Sequence, residues 1–524
     1  MDYDTITFWF VCLSCISGLV MAATRLRSVG AGWVVLYLTI LIIAIIGWLW
    51  ERNVLVYGAL GMWLLFVLVP GLLGRKYYRL FLQQRYVAAY RLARVISWLH
   101  PTDGWRQQPE IIRALELAQK GDLEAASEML KRFQGIKSVL GLAAVTNLFR
   151  ITNQWEELLA WQARNSQEVE RHPQMLPVLL RAHGETGDLN GMAGLYQRSK
   201  SHIAKLAPAE SRDLCRLILF AFCGKRALAE RLFAGSLAIL PASTRDFWLA
   251  TADLASGAIE PAKRELERLL PDADPSMRRA IERRLSRLSI PPTPLGESAE
   301  SAIASAAVEH GHDESFGASR SLFSKHARVT QLLIVLNILM FVGEVFLGGS
   351  TSVEALYRLG ALVPSAVRAG EWWRLVTSLF LHFGPLHLAM NMFALWLLAP
   401  FCEFALGPRK FLLVYLLAGV GSMAVVMAFG SGPNGEQITV GASGSVMGLV
   451  GATAGLMLRG WLWQKALSAK RRLLAMFIII ATQTVFDALV PQVSMTAHLS
   501  GAAIGFLAAI ILPDGLRRWL SSRS

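Results

Sequence analysis

The sequence predicts an all-α, polytopic membrane protein, with a six-helix membrane bundle preceded by three transmembrane helices and a soluble α-solenoid. Three observations carry that prediction. Of the 524 residues, 54% are hydrophobic and 17% charged, with 16 tryptophans. Several apolar runs approach the ~20 residues that cross a bilayer. Between two groups of such runs, residues 77–290 are charged and helix-patterned, with no spanning run. The net charge of +14 does not point to nucleic acid, because Lys and Arg gather at the ends of apolar runs, as in cytoplasmic loops. No basic face with interleaved aromatics is present.

The elements follow in order. Apolar spans at 6–24, 32–50 and 54–73 form an N-terminal membrane unit over residues 1–76. The first span is too long, and too weakly basic behind Asp2 and Asp4, for a cleaved signal peptide. Cys12 and Cys15 have CxxC spacing but lie inside an apolar span without a second ligand pair, so packing is the expected role. In the middle segment, turn positions at Gly121, Asn153, Gly187, Gly224 and Gly257 are separated by 32, 34, 37 and 33 residues. Five residues beyond each turn stands a small or apolar residue: Ala126, Leu158, Met192, Ala229 and Ala262. That period resembles tetratricopeptide-type helix pairs, whose arrays present a concave surface to peptides or proteins; a spacer without a partner is the alternative. Residues 291–327, with Pro291, Pro292 and Pro294 and a Ser/Ala/Glu/Gly-rich run, read as a flexible linker. Six more spans follow within 328–515, near 329–348, 386–402, 411–430, 440–458, 472–490 and 494–512, and a basic tail occupies 516–524.

Charge sets the expected topology. Arg25, Arg27, Arg75, Lys76 and Arg79 place the N-terminus outside and the middle segment in the cytoplasm. In the six-span unit, Lys325 and Arg328, then Arg409 and Lys410, then Lys465, Lys470, Arg471 and Arg472, and finally Arg517, Arg518 and Arg523 all fall on that same side. The reading is nine spans in a cell membrane, a bacterial inner membrane in expectation, with the C-terminus cytoplasmic.

Two polar groups then stand at one depth. Ser443 lies seven residues beyond Glu436 and His498 seven beyond Pro491, and at 1.5 Å per residue each sits about 10 Å below the outer surface. An ionisable residue at such a depth marks a functional site by default. Gly444, Gly448, Gly451 and Gly455 stripe one helix, and His498, Gly501 and Gly505 share a face of another, so the two backbones can approach closely. A Ser–His hydrogen bond needs that approach. His387 and Asn391, four residues apart on one face, can both donate to an oxyanion together with the Ser443 backbone N–H. His382 precedes them. Asp487, near the outer end of the fifth span, invites a triad, but a structural or interfacial role is the expectation. No H-E-x-x-H or Gly-x-Gly-Asp occurs, and no metal or cofactor is implied.

The run Glu371-Trp372-Trp373-Arg374-Leu375, then His382, His387 and Asn391, then Glu403 and Gly407, then Gly441-Ala442-Ser443-Gly444, then Ala497-His498 with Gly501 and Gly505, resembles the rhomboid family of intramembrane serine proteases. The resemblance covers about residues 328–515 and does not reach residues 1–300. It implies a six-helix rhomboid bundle, Ser443 as nucleophile, His498 as general base, and an oxyanion hole from His387, Asn391 and the Ser443 amide. It makes His382 a structural histidine and places Trp373 and Arg374 in a membrane-dipping loop, with Glu403, Gly441, Gly444, Gly501 and Gly505 as structural residues near the site. Many rhomboids have an aromatic residue where this chain has Met447, which implies weaker positioning of His498. The implied substrates are membrane proteins cleaved in or beside a transmembrane helix. The alternative is a catalytically idle relative that binds transmembrane helices and recruits a soluble partner through the helical repeats.

Overall fold

The computed structural model describes residues 3–24, 31–100, 104–136, 138–167, 172–288, 294–317, 327–429, 438–490 and 493–513. Regular structure among them is helical, apart from one antiparallel bridge between Leu362 and Thr439. The chain divides into two compact units, one of residues 10–310 and one of residues 311–524 with residues 1–9. Seven described helices are long and apolar enough to cross a membrane, and two shorter apolar stretches, Asp4–Val20 and Met495–Ile511, stand where the other two expected spans fall. The protein is a multi-pass membrane protein.

The first membrane helices are α1 (Tyr3–Thr24), α2 (Ala31–Leu49) and α3 (Asn53–Leu82). Leu49 is 70% and Val54 83% exposed, apolar surface that water would penalise and lipid tails accept. Helix α3 runs nine residues beyond the expected end of its span at residue 73. A π-type turn at Leu64–Leu68 precedes Pro70, a residue with no N–H to give to the preceding turn. Cys12 and Cys15 are buried free thiols, in line with a packing role.

In the middle segment all five turn positions have positive φ, from 57° at Asn153 to 99° at Gly121, the left-handed conformation that ends helices. The five residues that follow each turn by five positions are fully buried. Each turn therefore separates two helices, and the second buries its residue at that position in the segment's core. A buried ion pair joins distant helices of this core: Arg284 Nη1 and Nη2 donate to the two Glu185 oxygens at 2.5 and 2.9 Å. Burial alone would raise the Glu185 carboxyl, but Arg284 and Arg181 outweigh it and hold it at about 2, so it is charged at neutral pH.

Part of the stretch expected to be a flexible linker is instead a helix, α4 (Glu297–Phe316). Ala299, Ala302, Ile303 and Ala306 are buried in the core of the first unit, at the i, i+3, i+4, i+7 spacing of one helical face. Lys200 Nζ donates to Ser305 Oγ at 2.7 Å. Small side chains hid this face, since alanine carries little hydropathy signal. Residues 291–293 and 318–326 of the linker lie outside the described residues, as does the basic tail.

The second unit holds α5 (Arg328–Phe346), α6 (Pro385–Leu406), α7 (Pro408–Phe429), α8 (Ser443–Gln464), α9 (Leu467–Leu489) and α10 (Met495–Ile511). Helix α8 is its centre, buried continuously from Gly444 to Met457. The glycine stripe explains how α10 reaches it. A Cβ at Gly501 would lie 2.2 Å from the Gly444 carbonyl oxygen, one at Gly505 1.9 Å from that of Gly448, and one at Gly451 1.9 Å from that of Ala502. A side chain at any of these points would force the helices apart, and the two backbones touch along about two turns.

Candidate active site

Ser443 is the first residue of α8 and His498 the fourth of α10. The contact of Gly444 with Gly501 fixes their mutual level, and a Cβ at Gly444 would lie 3.7 Å from the Ala497 carbonyl. The residues adjoining Ser443 and His498 therefore meet across the helix crossing. Ser443 is half-buried, and His498 is buried. As the first residue of a helix, Ser443 carries a backbone N–H without an intrahelical acceptor, at the positive end of the helix dipole.

The segment leading into Ser443 is anchored from the side. Leu362 and Thr439 exchange both backbone hydrogen bonds at 3.0 Å, and Gly441 N donates to Ser378 O at 2.9 Å. Arg374 holds the loop that supplies Leu362 and Ser378. Its Nη1 donates to Tyr357 O and Ala361 O at 2.8 and 2.9 Å, and its Nε donates to Glu371 at 2.6 Å. The guanidinium also lies over the rings of Tyr357 and Trp373. Trp373 and Arg374 thus shape the loop that Leu362 and Ser378 tie to the Ser443 segment.

His387 and Asn391 lie against Gly441, whose φ is +126°. A Cβ there would sit 2.9 Å from His387 Nε2 and 3.8 Å from Asn391 Nδ2. Glycine is required both by the backbone angle and by these two side chains. Phe383 N donates to His387 Nδ1 at 3.3 Å, so in a neutral ring the proton belongs on Nε2, which faces Gly441. Asn391 Nδ2 donates to His387 O at 3.1 Å and keeps a second N–H. Two donors therefore approach the backbone two residues before Ser443.

His382 is fully buried, its backbone N donating to Glu344 at 2.9 Å and its ring set edge-on to His387 at 5.2 Å. Glu344, which sequence reasoning missed, anchors its backbone. Glu403 needs a correction. It accepts from Val329 N, Thr330 N and Thr330 Oγ1 at 3.0, 2.9 and 2.7 Å, capping the start of α5. It stands sixteen residues along α6 from His387, roughly 24 Å at the helical rise, and so is not near the site. Met447 packs with Val450, Ala502 and Met476 in a small apolar cluster. The His498 ring is held by Asp487, whose carboxylate lies 2.8 Å from His498 Nδ1. An interfacial role for Asp487 is thereby excluded, since it is 4% exposed.

Comparison with known proteins points to one family. Residues 369–514 match the family model described as the Rhomboid domain. Rhomboid protease AarA of Providencia stuartii is 30% identical over 221 residues, covering 38% of this chain and 79% of that protein. Rhomboid protease GluP of Bacillus subtilis (strain 168) is 36% identical over 188 residues, 35% of this chain and 34% of that protein. RHOMBOID-like protein 6, mitochondrial, of Arabidopsis thaliana is 37% identical over 168 residues, 32% of this chain and 52% of that protein. The chain spans about a third of the length of the Bacillus relative and about half that of the Arabidopsis relative.

Proposed function

This chain belongs to the rhomboid family, and on that premise we propose that it hydrolyses peptide bonds of membrane proteins, in or beside their transmembrane helices, through Ser443 and His498. The single observation that supports this most is the α8–α10 glycine contact. It brings the turn of Ser443 to the turn of His498, while His387 and Asn391 converge on Gly441. In the proposed reaction Ser443 Oγ attacks the substrate carbonyl as His498 Nε2 takes its proton. The oxyanion is held by the Ser443 N–H, His387 Nε2–H and Asn391 Nδ2–H. The imidazolium returns its proton to the leaving amine, and water then releases the acyl group by the same path in reverse. Polar groups at this depth are tolerated where protein encloses them around a hydrated cavity, which in this reading opens to the outer face.

The oxyanion assignment has its own test. Asn391→Ala is expected to lower turnover of a model transmembrane substrate by about 10²–10³, while Ser443 still reacts with a fluorophosphonate. Unchanged rates in both Asn391→Ala and His387→Ala would remove these residues from the reaction.

The middle helices, read as tetratricopeptide-like repeats, serve as the cytoplasmic binding unit for a peptide or protein partner. A groove lined by Gln84, Gln119, Arg150, Arg181, Thr244 and Trp248 offers polar and aromatic groups to such a ligand. By tethering a substrate tail or adaptor, the unit raises its effective concentration at the protease. Residues 328–524 alone should then cleave a generic substrate at the full-length rate and lose preference for the natural one. Equal preference in fragment and full-length protein would leave the helices as a spacer.

A further inference from the structure

Helix α9 is largely open to lipid, with Leu474 63% and Phe477 51% exposed, and its buried residues are Ala469, Leu473 and Asp487. A carboxylate is the costliest of the three to place there, and its surroundings show what it is for. Asp487 Oδ2 lies 2.8 Å from His498 Nδ1, with the Asp487 side chain closed off and that of His498 7% exposed. The other carboxylate oxygen accepts from Gln483 Nε2 at 2.7 Å, one turn earlier on the same face of α9. Gln483 Nε2 is 3.5 Å from His498 Nδ1, a distance at which it does not compete with the carboxylate.

We propose that Asp487 is the positioning residue of the His498 imidazole, held in turn by Gln483, so that the site operates as Ser443–His498–Asp487. The proposal rests on the reading of His498 as general base. A neutral imidazole has two tautomers, and only the one with its proton on Nδ1 leaves Nε2 free to accept from Ser443. A carboxylate that accepts from Nδ1–H selects that tautomer, fixes the ring plane, and stabilises the imidazolium formed when Nε2 takes the Ser443 proton; it takes no proton itself. Both partners are buried, so solvent screens their attraction little. Among the described residues, His387 and His382 stand at this end of the unit, with Glu344 beside His382, and so do Arg374 and its partner Glu371 in the loop that holds the Ser443 segment. Ser422 of α7 lies against Gly444, beside Ser443 of α8, while Arg409, Lys410 and Arg459 stand in the far halves of those helices.

The test uses full-length protein in detergent and in liposomes. Asp487→Asn is expected to lower kcat by about 10²–10⁴, as the same change does in a soluble serine protease, with KM little changed. Without the carboxylate the imidazolium is less stable, so the acid limb of the kcat/KM profile moves to lower pH. Asp487→Glu should recover at least about tenfold of the loss by restoring the charge. Activity within about threefold of wild type and an unmoved acid limb overturn the proposal, since a role in folding alone predicts neither the pH shift nor the rescue by glutamate. Where the variant fails to fold, nitrogen NMR of the wild type decides: His498, assigned by comparison with His498→Gln, should be protonated at Nδ1 near neutral pH, and protonation at Nε2 contradicts the proposal. Wild-type protein that neither cleaves nor labels at Ser443 would instead count against the protease reading, and the NMR measurement separates the two failures.

Discussion

Ser443→Ala and His498→Ala are each expected to lower hydrolysis of a transmembrane substrate by on the order of 10⁴–10⁶, because nucleophile and base act as one unit and either loss removes nearly the whole effect. The double variant should be no slower than either single one. Neither substitution falls on the closest backbone contacts between α8 and α10, which are made by Gly444, Gly448, Gly451, Gly501, Ala502 and Gly505. Expression and membrane insertion should therefore stay near wild type in both, and thermal stability in Ser443→Ala, while His498→Ala, which leaves the buried Asp487 carboxylate without its imidazole, should unfold at a lower temperature. Cleavage assays on purified protein, paired with thermal unfolding, check this. Turnover retained by Ser443→Ala would end the protease assignment.

The second large effect concerns that crossing. Gly501→Ala places a Cβ 2.2 Å from the Gly444 carbonyl oxygen, and a backbone atom inside a buried helix cannot swing aside as a side chain can. The helices must part by about an ångström, and overpacking of this kind costs about 1–3 kcal/mol or more. Because Gly444 adjoins Ser443, the displacement falls on the catalytic pair, where a misplacement of that size can cost about 10² in rate. Gly501→Ala is thus expected to lower both the unfolding temperature and turnover, and Gly501→Val to abolish function. Gly343→Ala in α5 is the control, since a Cβ there meets nothing within 4 Å. Equal behaviour of Gly501→Ala and Gly343→Ala would contradict the packing account.

Much of this was legible in the chain, for identifiable reasons. Apolar runs of spanning length and glycines at three- and four-residue steps are local patterns, and each maps directly onto a helix and a face. The same holds for the turn positions from Gly121 to Gly257, each of which separates two consecutive helices. The ends of helices were less legible. Leu82 closes α3 well past the expected boundary, because a charged continuation of a helix looks like a change of domain. The helix Glu297–Phe316 was hidden because a face of Ala299, Ala302, Ile303 and Ala306 is helical without being strongly hydrophobic. Long-range polar pairs were the least legible. Glu403 belongs to the start of α5 rather than to the active site, and Asp487 belongs to His498 rather than to the membrane boundary, since one-dimensional spacing does not say which neighbouring helix a carboxylate will face. A signal for Asp487 did exist: Gln483 and Asp487 share a face near the C-terminal end of their helix, the end expected to lie at the depth of His498.

The central claim is that Ser443 is a nucleophile activated by His498, and a fluorophosphonate probe followed by peptide mass spectrometry tests it most directly. The account predicts an adduct on Ser443 in the wild type, none in Ser443→Ala, and labelling slowed by at least about 10² in His498→Ala, since the hydroxyl is a weak nucleophile without its base. Wild-type protein that is folded but unlabelled at Ser443, or that labels equally fast without His498, would contradict it.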